Sequence, residues 1–313
     1  TPLELVESGW LYSRSYNPGT GDWSALNVAR FNVETEPADA TNLVVSEFSY
    51  RPAEPSAPNE VAVSTDRDDY EFIELMNIGN KTIDLSGVEF TNGISFSFSA
   101  NSLLGVGERV VLVSNAAAFS ERYPAVGIGG VFSSGNLGNG SEQVVLASLA
   151  AGVIRDFTYE DVDPWPSAGD GAGYSLVLIA PATNPVHMDP RNWRSSADIH
   201  GSPGGTGGVS YAEWKSANAI TDDSGDPDRD GLSNLGEFAS GSDFQVRGTG
   251  GGITGQVVNG FFEVEIQRNL RAVDEFDLVV ESSEDLMSWS GGGEYVSETN
   301  LGNGVRFVSL TYS

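Results

Sequence analysis

Tyr70-Glu71-Phe72-Ile73-Glu74-Leu75-Met76-Asn77 is the stretch on which the fold of this chain turns. Strand-forming residues run unbroken up to a turn at Gly79-Asn80, so the segment reads as a β-strand bounded by turn chemistry. Working outward, Leu43-Val44-Val45-Ser46-Glu47-Phe48-Ser49-Tyr50 predicts a strand before it, across a Pro-rich loop from Arg51 to Asn59. Asp84–Phe90, Ile94–Phe98 and the short apolar run Arg109–Val113 predict strands after it. Residues 115–123 predict one short helix, with Ser114 or Asn115 as its cap. Gln143–Leu146, Val153–Tyr159 and Tyr174–Ile179 complete the set. Many short strands separated by Gly, Asn and Pro turns imply an antiparallel β-sandwich.

A second stretch carries metal chemistry. Asp226 to Glu237 reads D-P-D-R-D-G-L-S-N-L-G-E and meets the calcium-loop template at every specified position. Asp226, Asp228 and Asp230 stand at loop positions 1, 3 and 5, and Gly231 at position 6 permits the sharp turn. Leu232 offers its backbone carbonyl at position 7. Asn234 ligates directly or through water at position 9, and Glu237 closes the shell at position 12. Hard oxygen donors without His or Cys suit Ca2+. The plainer reading of the same residues is an acidic, solvated turn. Tyr211–Ile220 lacks Gly and Pro and predicts a helix before the loop, and a second helix is expected to begin over Leu235–Ala239.

With 44 acidic residues against 16 basic ones, the net charge is -28. That field repels phosphate backbones and anionic membrane surfaces, so nucleic acid is excluded as a partner. No apolar run reaches the ~18 residues of a membrane span, which excludes membrane insertion by a helix. Cysteine is absent, and lysine occurs only at Lys81 and Lys215. No disulfide, thiolate metal site or cysteine nucleophile is therefore available. No signal peptide is visible, and the chain is expected to be a mature form or a piece of something longer.

The motifs S-E-F-x-Y, E-F-I-E-L-x-N-x-G, D-L-S-G-V-x-F, G-E-R-V-V-L-V and P-W-P-S-A-G-D-G-A-G-Y-S-L occur in that order, closed by Asn192-Trp193-Arg194. Together they resemble the lamin tail domain in its bacterial secreted form. The resemblance implies an Ig-like β-sandwich that works as a non-catalytic interaction module. The calcium-loop region is similar to the single repeats of dockerins and to D-x-D-x-D-G linker repeats of secreted bacterial proteins, where such loops serve as structure. Four regions follow. Residues 1–40 hold a β-hairpin whose W-S-A-L-x-x-A-x-F portion resembles the end of an upstream Ig-like module. Residues 41–205 form the sandwich, and residues 206–245 the helical calcium linker. Residues 246–313 form a smaller β-rich module, with strands expected at Phe262–Ile266, Phe276–Glu281 and Gly304–Tyr312. Its V-E-S-S-x-D-L-x-x-W pattern is similar to C-terminal modules of large secreted bacterial proteins. This last module either continues beyond the chain or is completed by a partner.

Enzymatic readings are weak. His187 and His200 lack a second His at metal-ligand spacing and read as loop histidines. Glu47, Glu71 and Glu74 raise the two-carboxylate arrangement of glycosidases. Glu71 and Glu74, however, are an odd number apart and face opposite sides of a regular strand. Asp161, Asp163 and Asp170 near Trp165 suggest either a second cation site or a hydrogen-bonded turn. Trp10, Trp23, Trp165, Trp193, Trp214 and Trp289 are expected mostly in cores. The chain is thus expected to be no enzyme. It reads as an extracellular or cell-surface structural, adhesive or assembly module with a calcium-stiffened joint, binding protein partners or its own copies by strand exchange. The alternative is a carbohydrate-binding or targeting appendage of a larger secreted enzyme, with polysaccharide as partner.

Overall fold

The computed structural model describes residues 9–248, 253–272, 276, 281–283, 285–291, 294–300 and 305–312. Two sheets face each other across residues 43–195. One has six strands in the order Ile128–Val131, Arg109–Val113, Phe72–Asn77, Leu43–Ser49, Leu176–Leu178, Trp193–Ser195. The other has four, in the order Phe96–Ser97, Val88–Asn92, Glu142–Ser148, Gly152–Tyr159. Ile73 and Leu75 point into the core between the sheets, beside Phe48, Leu146, Phe157 and Trp193. Phe72, at the alternate position, points outward instead and packs with Val111, Val113 and Phe119. This is the two-residue period of a strand buried on both faces. The chain is mainly β, as the strand pattern implies.

Three elements depart from that reading. The strand expected over Asp84–Phe90 is broken by a turn, so that Thr82–Asp84 and Val88–Asn92 belong to different sheets. Arg109–Val113 pairs in parallel with Ile128–Val131, whereas its other neighbour is antiparallel. Parallel pairing requires a crossover connection, and the helix Ala116–Arg122 supplies it. Asn115 caps that helix by accepting hydrogen bonds from Ala117 N and Ala118 N at 3.0 and 3.2 Å. Pro58–Val63, expected to begin within a Pro-rich loop, is a helix. Pro58 sits in its first turn, where a missing N–H costs nothing. Glu60 on this helix accepts a bond from Arg122 Nε at 2.7 Å, and the Arg122 guanidinium lies 3.8 Å from the Tyr70 ring centre.

The tryptophans divide. Trp193 and Trp165 are buried; Trp193 stacks on Phe157 and meets Phe48 edge-on. Trp193→Ala is expected to destabilise the sandwich by about 3–5 kcal/mol, measured by denaturant unfolding. Trp10, Trp23 and Trp289 are instead about half exposed, at 52%, 53% and 55%. The first two belong to the N-terminal hairpin, in which Gly9–Ser13 pairs with Asn27–Phe31 and Tyr16–Asn17 with Asp22–Trp23.

His187 lies in a loop, as expected, but is buried there. Its Nε2 accepts from Val45 N at 3.1 Å, and its Nδ1 lies 3.1 Å from the Pro185 carbonyl. Burial pushes its pKa down to about 3, so the ring is neutral.

In the C-terminal region, Ile253–Val258, Phe261–Asn269, Val305–Tyr312 and Glu294–Asn300 form an antiparallel sheet in that order. Most of the strand expected over Phe276–Glu281 lies outside the described residues. This sheet docks on the edge of the sandwich. The buried Glu298 accepts from Ser195 N at 2.9 Å and from Ser195 Oγ at 2.8 Å. Asn300 Nδ2 donates to Ser195 Oγ and to the Ser196 carbonyl. Covering an edge strand removes its unpaired backbone groups from solvent.

Candidate metal centre

The linker begins with the helix Tyr211–Ala217, closed at its start by a reciprocal capping box between Ser210 and Glu213. Lys215 Nζ pairs with Asp223 at 2.7 Å and ties this helix to the loop that follows. The chain then folds around its own carboxylates. Asp226 Oδ1 accepts from Arg229 N and Asp230 N, and Asp226 Oδ2 from Gly231 N. Asp228 Oδ1 accepts from Asp230 N, and Asp230 Oδ1 from Leu232 N. Such side-chain-to-backbone bonds create tight turns without secondary structure. Arg229 and Gly231 have φ of 65° and 103°, and glycine at the second of these accommodates the turn without a Cβ penalty.

Ser233 then caps the helix Asn234–Ser240 through Gly236 N at 3.2 Å. Both helices arise where the composition implied them. The first, expected to run to Ile220, ends at Ala217, and the second starts one residue early, directly after its Ser233 cap.

Asp226, Asp228 and Asp230 are the one group of three His, Cys, Asp or Glu side chains, among the described residues, that could hold an ion; their donor atoms lie within 4.8 Å of one another. Glu237, three residues into the helix, is 0% exposed, and neither of its oxygens has a hydrogen-bond partner. Asp228 Oδ2 and Asn234 Oδ1 are likewise buried and unpartnered. Four orphan oxygens thus come from loop positions 3, 9 and 12. A buried acceptor without a donor is costly, because it gives up water and gains nothing in return. Burial, followed by the charges of Asp228, Asp230 and Asp226, pushes Glu237 up to about 7. A hard divalent cation satisfies all four oxygens at once. The donor set therefore fits calcium. Leu232 sits at the register position whose carbonyl would complete it.

The site is welded to its surroundings on the far side. Phe238, adjacent to Glu237, packs against Tyr211, Trp214 and Phe276 at 5.1, 5.2 and 5.8 Å. Its carbonyl accepts from Asn269 Nδ2 at 2.9 Å, and the Ser240 carbonyl from Gln267 Nε2 at 3.1 Å. The loop's second helix is thus fastened to the C-terminal sheet. At the other end, Val209 N donates to the Arg271 carbonyl, and Arg271 pairs with Asp198 of the sandwich at 2.6 Å.

Among the described residues the remaining carboxylates form no second cluster of three that could hold an ion. Among the described residues Asp161, Asp163 and Asp170 form no cluster, and Asp170 is engaged by Arg51. Glu71 and Glu74 part company as their spacing requires. Glu71 Oε2 accepts from Leu137 N, while Glu74 Oε2 accepts from Gly204 N on the opposite face. Sequence reasoning missed a different pairing, Glu47 beside Glu74. The strand register jumps between Val45 and Glu47, so Glu47, not Ser46, stands opposite Glu74. The cavity at this pair is about 10 Å³, lined in part by Ser46 and Arg109. That space is smaller than a sugar ring.

No described helix is long and apolar enough to cross a membrane. Residues 36–161 match the family model of the lamin tail domain. The match covers all of the four-stranded sheet and four strands of the six-stranded one, leaving out Leu176–Leu178 and Trp193–Ser195, and stops well short of the Asp226–Glu237 loop. No match to the chain was found among curated proteins or among solved structures.

Proposed function

We propose that this chain is a non-catalytic extracellular module in which calcium stiffens the joint between an Ig-like sandwich and a second β sheet. Residues 36–161 are similar to the lamin tail domain, an Ig-like family consistent with a structural, non-enzymatic role. The observation that carries the calcium reading is Glu237, fully buried with both oxygens unpartnered beside three converging aspartates. The ion offsets part of this cluster's negative charge when bound. Asp226, Asp228, Asp230, the Leu232 carbonyl, Asn234 and Glu237 would hold it, and Phe238 carries the resulting order into the C-terminal sheet. The function is then spacing, adhesion or assembly at a cell surface, with protein partners or further copies of the chain engaged by modules held at a fixed angle.

Limited proteolysis tests this. Cleavage within residues 218–233 is expected to slow by about tenfold or more on moving from chelator to calcium, because opening of the loop would then require the ion to leave. Equal rates in the two conditions would sink the joint. A second reading, carbohydrate binding, is favoured by one observation. Tyr16 and Trp23 are exposed and pack 4.6 Å apart, with Arg14 lying 4.1 Å over the Trp23 ring. A glycan array hit lost in Trp23→Ala would support it, and an array without hits would leave the structural reading alone.

A further inference from the structure

Residues 200–206, which lead from the sandwich toward the joint, cross the outer face of the six-stranded sheet directly above two carboxylates. Glu47 and Glu74 are cross-strand neighbours, 2% and 1% exposed. Glu47 Oε1 accepts from Ser175 Oγ at 2.6 Å and from Ser202 N at 2.7 Å, and Glu47 Oε2 from Ser202 Oγ at 2.8 Å. Glu74 Oε2 accepts from Gly204 N at 2.6 Å, and Glu74 Oε1 from Ser46 Oγ at 2.6 Å. The loop is pressed hard onto them. At Gly201, with φ of +80°, a Cβ would lie 2.4 Å from Glu47 Oε1.

The charges around the pair come from several elements. Arg109 Nε, on the neighbouring strand, lies 3.2 Å from Glu74 Oε1. Arg194, on the sheet-edge strand, acts on Glu47, and the next residue, Ser195, holds Glu298. Tyr123, beneath the loop, feels the charge of Glu47 and donates to the His200 carbonyl at 2.7 Å. Burial holds the His200 ring below its ordinary pKa, so it adds no positive charge at neutral pH.

We propose that Glu47 and Glu74 form one proton-binding site that latches residues 200–206 onto the sandwich. The latch is closed while the pair keeps a proton and loosened when both carboxylates ionise. Like charges directly opposite in a sheet are destabilising, and burial penalises each charge further. Among the described residues Arg109 is the cation paired with Glu74, while Arg194 acts on Glu47 through its charge. Burial is the largest cause raising both groups, and Glu74 is pushed up to about 7 with the charge of Glu47 next in importance. The two titrate as a unit. The sign follows from the raised values. An opened Glu74 loses its proton near the ordinary 4.5, a closed one only near 7, and burial raises Glu47 as well. Closure therefore weakens as pH rises through that window. Loosening frees the stretch leading to Ser210, the cap of the first linker helix. The latch does not depend on the metal.

Amide exchange at Ser202 and Gly204, followed by NMR from about pH 5.5 to 8.5 in calcium, tests it. Glu74→Gln serves as the reference at each pH, which cancels base catalysis of exchange. Protection in the unsubstituted protein is expected to fall about tenfold or more relative to Glu74→Gln as pH rises from about 5.5 to about 7, and to level off above that, one pKa unit being tenfold in the equilibrium. Parallel curves would overturn the latch. Should Glu74→Gln not fold, carboxyl 13C titration of the unsubstituted protein decides. One member of the pair titrating above about pH 6 supports the proposal, and both titrating below about pH 5 overturns it.

Discussion

Glu237→Gln is expected to reverse the response of this protein to calcium. In chelator the variant should melt above the parent protein. The parent buries a carboxyl whose pKa stands at about 7, beside three aspartates, whereas the amide buries no charge. In calcium the order should invert. An ion bound at about 100 times its dissociation constant stabilises by about 2.7 kcal/mol. For a domain-sized unit this raises the melt by roughly 5–10 °C. The variant, deprived of the bidentate ligand, should gain little of that. Thermal melts in both conditions check the inversion. A variant that melts below the parent in chelator, and gains as much as the parent from calcium, would place Glu237 outside the metal shell.

A second large effect is expected at Glu71, far from the joint. Its carboxyl is 0% exposed and accepts one bond, from Leu137 N at 2.8 Å, while Oε1 has no partner. Burial pushes it up to about 9, with Asp68, Glu142 and Asp66 adding to the rise. The unfolded chain releases this proton near 4.5. Folding at neutral pH must therefore take up a proton, and this cost grows as pH rises from about 4.5 toward about 9. Glu71→Gln keeps the shape and the acceptor for Leu137 N without that cost. The variant should be more stable than the parent at pH 7 by roughly 3 kcal/mol, the interval from about 4.5 to 7 counting about 1.4 per pKa unit. The gain should vanish below about pH 4.5. Denaturant unfolding of both proteins at pH 4 and pH 7 measures it; a loss of stability at pH 7 would show that Glu71 is held as a carboxylate.

The sandwich was legible because its strands are short, rich in strand formers and closed by turn residues. Phe72–Asn77 and Leu43–Ser49 lie where those patterns placed them. The parity of Glu71 and Glu74 also held, since no irregularity falls between them. Parity failed to bring Glu47 and Glu74 together because one extra residue, Ser46, shifts the register, and a bulge leaves no mark in an apolar run. The Pro58–Val63 helix was hidden by its own first residue, since proline signals a loop as readily as a helix start. For the metal centre, the template supplied every candidate ligand, because turn chemistry and donor chemistry select the same residues at fixed offsets. It could not supply the burial of Glu237, which a local template does not encode. Nor do local patterns report that Trp10 and Trp23 remain half exposed, because exposure depends on what packs against the hairpin.

Calcium titration by calorimetry, on protein first stripped with chelator, tests the central claim most directly. The account predicts one saturable site per chain in the parent protein and its loss in Glu237→Gln. Absence of binding in the parent, or binding left unchanged by Glu237→Gln, would contradict it and reduce residues 226–237 to an acidic turn.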